Sequence, residues 1–205
     1  MNAHKTAQWI AAILYDDWRP LGANPPASEY LKEGRALAEM LKRGASRQEV
    51  AAFLRRAAEA YEAYSRGMLN LRLATEESVE RGIALFEQAL AIEPDYVDAL
   101  VALGSALQLR GAFLSKPDAL ARSRALLEQA IALAPERADA HVRLGQVLAT
   151  AGETDAAEAA IRRGLALDAD SSLGHSQLAR LLWLGRGQVD AAIRHFRTAA
   201  TLCST

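Results

Sequence analysis

Apolar residues along this chain recur at intervals of three and four, the spacing of a helix face, and the period-two alternation of strands is nearly absent. Between residues 126 and 148, Leu126, Leu127, Ala130 and Leu133 form one stripe before Pro135. Ala140, Leu144, Val147 and Leu148 form a second stripe after it. Each stripe is too narrow to stabilise an isolated helix. Two such helices back to back, stacked on the next pair, bury a continuous core. The pattern repeats. LFEQALAIEPDYVDALVALGSAL starts at Leu85, LLEQAIALAPERADAHVRLGQVL at Leu126, and AIRRGLALDADSSLGHSQLARLL at Ala160, offsets of 41 and then 34 residues. A repeated phrase at a nearly fixed period is the signature of a solenoid. The expected class is therefore all-α, a helical-repeat solenoid.

The punctuation agrees. Pro94 and Pro135 fall where one helix must stop and the next begin, since proline ends a helix and is tolerated in a first turn. Gly152 followed by Thr154 reads as a C-terminal glycine and then an N-cap, and Gly187 holds the matching place in the last unit.

Residue for residue, these units resemble tetratricopeptide repeats. The family motif places a large residue, Leu-Gly and a large residue on a first helix, then small, large and small residues on a second, then Pro. Leu100, Leu103, Gly104 and Leu107 fit one first helix. His141, Leu144, Gly145 and Leu148 fit the next, with Ala157 and Ile161 on its second helix. His175, Leu178, Ala179 and Leu182 open the last unit, which continues with Ala192, Phe196 and Ala199. Phe86, Ala89 and Pro94 are the second helix of an earlier unit, whose first helix is AYEAYSRGMLNLR with Gly67 at the close-packing place. The resemblance covers about residues 58–205, about four units, and implies a right-handed array. There are departures: Gly164 for the second small residue, Ala169 for the proline, and about seven extra residues around AFLSKPDALARSRA. That insertion suggests an extended turn with Ser115 as N-cap and Pro117 early in the second helix. About two further residues are added at LGRGQ.

Residues 1–57 lack the period and form a separate N-terminal helical segment, a cap or small module. The expected helices run at about 4–17 and 28–43, then a third starts where Ser46 and Glu49 form a capping box after the stop at Gly44, with continuation straight into the first repeat as one expectation. The stretch from ILYDDWRPLGANPPASEY to EVAAFLRR is similar to a small bacterial helical module found in some toxin-immunity neighbourhoods. That similarity implies an alternative function, a regulatory or toxin-neutralising partner acting through this segment. The apolar run WIAAILY at 9–15, closed by Asp16 and Asp17, falls short of the ~20 residues of a membrane span. It also lacks a basic leader and cleavage site, so we expect a cytoplasmic protein with no membrane partner.

Composition narrows the function. With 24 basic and 25 acidic residues, interleaved, there is no field to hold nucleic acid. Cys203 is the one cysteine, so no internal disulfide can form. No phosphate loop, HExxH or GxSxG is present, and Gly185-Arg186-Gly187 reads as a turn. His141 and His175 share a repeat position and read as packing residues rather than metal ligands. We expect no enzyme, no cofactor and no metal.

In the family the first helix of each unit lines the concave face. Carried over, the inward positions are Tyr61, Tyr64 and Met68; Asp98, Val101 and Ser105; Asp139, Val142 and Gln146; and Leu173, Ser176 and Arg180. They imply a groove for a peptide or protein ligand with apolar anchors and a basic residue facing Asp98 and Asp139. Phe113 and Leu114 are a second candidate contact. At the other end Trp183, Leu184, Phe196 and Leu202 should be left partly uncovered, a candidate homodimer face.

Overall fold

The computed structural model describes residues 36–114 and 117–203, with the side chains of residues 47, 112–114 and 117 also outside the description. A helical segment over 36–42 precedes eight helices: α1 (Arg47–Arg72), α2 (Glu76–Ile92), α3 (Val97–Leu114), α4 (Pro117–Leu133), α5 (Ala138–Thr150), α6 (Thr154–Leu167), α7 (Ser172–Arg186) and α8 (Val189–Leu202). There is no strand among the described residues. The chain divides into two compact units, residues 1–62 and 63–205.

In the first unit, Leu37 is buried against Val50, Phe53 and Leu54. The Ser46 cap is present: Ser46 N donates to Glu49 Oε2 at 2.7 Å, and Glu49 N donates back to Ser46 Oγ at 3.3 Å. From this box α1 runs without a break to Arg72, as its sequence suggested. The expected helix at 4–17, the loop after it and most of the helix at 28–43 lie outside the described residues.

In the second unit successive helices pair as α3–α4, α5–α6 and α7–α8, and each pair packs on the next. Most positions that carried the family resemblance fill the interior, whereas Phe196 on α8 is 40% exposed. Phe86, Leu107, Leu127, Ala130, Ala157, Ile161 and Ala179 are wholly buried. Leu133, assigned to a core stripe from its spacing, is instead 44% exposed at the end of α4. Close approach is set by small residues. A Cβ on Gly145 would lie 2.8 Å from the Ala157 carbonyl oxygen, and one on Gly164 would lie 2.8 Å from that of Ala138.

The helix ends follow the punctuation with one correction. Gly152 and Gly187 take left-handed backbone (φ +82° and +68°), which glycine adopts without strain. Gly187 and Gln188 return their N–H groups to Trp183 and Leu182. Thr154 is the first residue of α6; the N-cap is Glu153, and no side chain caps that end. Thr75 was not anticipated: it forms a capping box with Ser78 at the start of α2. The insertion after residue 107 lengthens α3 to 18 residues and α4 to 17, with only two residues between Leu114 and Pro117, so it does not open an extended turn. Ser115 lies outside the described residues.

Candidate functional site

Which side of the array is inner can be read from its contacts. The first helices α3, α5 and α7 touch one another in succession, whereas the second helices make no comparable contact among the described residues. The first helices therefore lie on the short side of the curve, and their shared face is the candidate binding surface.

The floor of that face is an ion-pair bridge. Asp98, in the first turn of α3, is 8% exposed, and Arg137, in the turn before α5, donates to its Oδ1. The same guanidinium donates from Nε to Asp139 Oδ1 at 2.7 Å. Burial disfavours the charge on Arg137, but the hydrogen bond to Asp98 and the two neighbouring carboxylates hold it above its ordinary range. The two aspartates expected to await a basic ligand are thus already joined by a cation of the chain itself.

One turn into α5 the balance reverses. Arg143 Nε is enclosed and meets no acceptor, and among the described residues its guanidinium has no ion-pair partner. Burial pushes this group below the usual arginine range, opposed by nearby Asp139 and Tyr64 and reinforced by Arg137. An arginine stays protonated even so, which leaves a partly buried positive charge without a counter-charge in contact. Tyr64, which acts on it through space, belongs to an aromatic group, its ring 6.0 Å from Phe86 and 5.3 Å from Tyr96. Met68, half-buried, packs with Tyr64 against the Phe86 cluster.

Further along, Gln146 Nε2 donates to Gln108 Oε1 at 3.3 Å, linking α5 to α3. Beyond it lies an open cleft of about 280 Å³, lined by Gln146 and Thr150 of α5, Thr154 of α6, and Gln177, Arg180 and Leu184 of α7 among others. Arg180 is exposed and donates to Gln177 Oε1 at 2.8 Å.

A tetratricopeptide-repeat family model matches residues 118–181. Residues 118–181 carry tetratricopeptide repeats. Solved structures agree on the fold. A thermophilic tetratricopeptide-repeat protein of Thermus thermophilus is 20% identical with a TM-score of 0.59, the match covering 100% of this chain and 93% of that one. MamA from Desulfovibrio magneticus is 18% identical with a TM-score of 0.55, covering 98% and 96%. An O-GlcNAc transferase mutant of Thermobaculum terrenum is 27% identical with a TM-score of 0.55 over 62% of this chain, which spans 23% of that one. Nothing among curated proteins matches the chain.

Set on this tetratricopeptide frame, the inward positions separate into two groups. Val101 and Val142 are core residues, 4% and 0% exposed. Ser105 Oγ donates to its own helix at Val101 O, 2.7 Å away. Tyr64, Met68, Asp139, Gln146, Leu173 and Ser176 are half-buried, and Tyr61, also half-buried, belongs to the first unit. Phe113 and Leu114 have side chains outside the description. Arg143 was missed in sequence, although a signal existed. It stands where the preceding repeat has the buried Ala102 and the following one Gln177, so a charge there is out of pattern.

The histidines serve the turns. His141 Nε2 meets Pro135 O at 2.9 Å and His175 Nε2 meets Ala169 O at 3.0 Å, the same clip in successive repeats. His175 Nδ1 also lies 2.9 Å from His195 Nδ1, with the rings stacked. No cluster of three metal-ligating side chains occurs among the described residues. No helix there is long and apolar enough to cross a membrane. At the C-terminal end Trp183 is 53%, Leu184 70% and Phe196 40% exposed, and Leu202 is half-buried.

Proposed function

We propose that this tetratricopeptide chain is a non-enzymatic interaction scaffold whose first-helix face binds an extended peptide segment carrying a carboxylate. The observation that carries the reading is Arg143, whose Nε is enclosed without an acceptor and which forms no ion pair among the described residues, on a first helix of the face where successive first helices meet. A partly buried cation without a counter-charge destabilises the fold, and an incoming acidic group would supply the missing charge-assisted bonds. The required ligand chemistry differs from that expected from the sequence. Asp98 and Asp139 are answered by Arg137, so the anchor is basic and the ligand acidic. Apolar side chains of the ligand would meet Tyr64 and Met68, and its backbone amides the Gln146, Gln177 and Arg180 cleft.

Selection of a displayed random-peptide library on the full chain tests this. We expect enriched peptides to share an Asp or Glu with an aliphatic or aromatic neighbour. We expect selection on Arg143→Met to lose that acidic position. A consensus rich in Lys or Arg, or one unchanged on Arg143→Met, would refute the proposal.

A further inference from the structure

We infer that the exposed face of α8 is the interface of a symmetric, antiparallel dimer of this chain. Val189, Ile193, Phe196 and Ala200 fall within about 60° of arc on the helix, a single stripe. All four are exposed, the first three at 51%, 42% and 40%.

Two equivalent helices show what this stripe does elsewhere. On α2 it reads Val79, Ile83, Phe86 and Leu90, and there the first three are 3%, 4% and 0% exposed, in one cluster with Ala102, Leu103, Ala106 and Leu107 of α3. On α6 the matching places are Thr154, Glu158, Ile161 and Leu165. Ile161 and Leu165 pack in the cluster that includes α7, and Glu158 accepts a hydrogen bond from Arg186 of α7. The α8 stripe is thus more apolar than the α6 stripe, which is already covered. A contiguous apolar stripe left exposed marks a contact surface.

The occupant follows from the stripe's own symmetry. Its spacing of four, three and four reads the same in both directions. A two-fold axis across its centre therefore sets Val189 against Ala200 and Ile193 against Phe196 of the second copy, each pair matching one residue with a differently sized one. Charge agrees. Asp190 and Arg197 flank the stripe on one side, are both exposed, and make no ion pair among the described residues. In this register Asp190 stands about 3 Å along the axis from Arg197 of the second copy, within reach, and the two-fold creates that pair twice.

Analytical ultracentrifugation of the full chain, with circular dichroism as the folding control, decides the matter. We expect a dimer that Ile193→Glu converts to a folded monomer, since α6 carries Glu158 at the same place. Asp190→Arg should weaken the dimer about tenfold or more, and adding Arg197→Asp should restore it. A wild-type monomer, an assembly that grows without limit with concentration, or a dimer indifferent to Ile193→Glu would overturn the inference. Failure of the double charge exchange to restore association would overturn the antiparallel register.

Discussion

The crossing of α5 and α6 offers a quantitative test of the packing. Gly145 and Gly164 face opposite helices across it. A Cβ on Gly145 would lie 2.5 Å from Ile161 Cγ1 and 2.8 Å from the Ala157 carbonyl oxygen. One on Gly164 would lie 2.6 Å from Val142 Cγ2 and 2.8 Å from the Ala138 carbonyl oxygen. The side-chain contacts can yield by rotation, but the backbone ones cannot. Restoring a carbon–oxygen separation of about 3.3 Å requires the helices to part by roughly half an ångström. In an exposed helix, Gly→Ala gains about 1 kcal/mol from propensity. Here the strain of an overpacked site, up to about 3 kcal/mol, outweighs that gain, and each substitution should destabilise by about 1–2 kcal/mol. The parting that accommodates one methyl also makes room for the other. The double variant should therefore lose less than the sum, with a coupling of about 1 kcal/mol. Urea denaturation followed by circular dichroism measures all three variants. A neutral or stabilising Gly145→Ala, or strict additivity, would refute the reasoning. The last repeat supplies the control. It is built around Ala179, wholly buried, so Ala179→Gly should destabilise by about 1 kcal/mol rather than relieve strain.

Other expectations follow from the site and its supports. Arg143→Met should raise stability by about 1 kcal/mol, a Tm increase of roughly 2–4 °C, while abolishing selection of acidic peptides; a fall in Tm would mean the guanidinium is already satisfied. Arg137→Ala removes the partner of the buried Asp98 and should cost about 2 kcal/mol, less in an Asp98→Ala background; equal losses in both would argue against the bridge. His195 is held below its ordinary pKa by burial, by His175, and by Arg162 and Arg194. Its contribution to stability is complete above the unfolded value near 6.5 and is lost as pH falls through the lower folded value. Thermal melts between neutral pH and about pH 5 should therefore decline, and His195→Gln should flatten the decline; an unchanged slope would show that other groups set it.

The frame of this protein was legible because its signals are local and repeated. Leu103-Gly104, Leu144-Gly145 and Leu178-Ala179 mark first helices, and Pro94 and Pro135 mark the breaks between helices. Features that depend on two distant elements were not legible. Nothing near Asp98 announces that Arg137, 39 residues on, pairs with it, so both aspartates read from sequence as open to a ligand. Thr154 has the right chemistry for an N-cap, but the chain after Gly152 enters the helix one residue earlier. The seven-residue insertion looked like a loop because it interrupts the period, yet its residues are helix formers and extend α3 and α4. Arg143 escaped notice because charged residues on helices are usually solvated, and its out-of-pattern charge gains meaning only with its burial.

The most direct test of the scaffold reading is a double-mutant cycle on binding. An acidic peptide selected on the full chain and its Asp→Asn or Glu→Gln counterpart would be titrated into the wild type and Arg143→Met by isothermal calorimetry. The account requires a coupling of about 1.5–3 kcal/mol between the peptide's carboxylate and Arg143. A coupling indistinguishable from zero would contradict it.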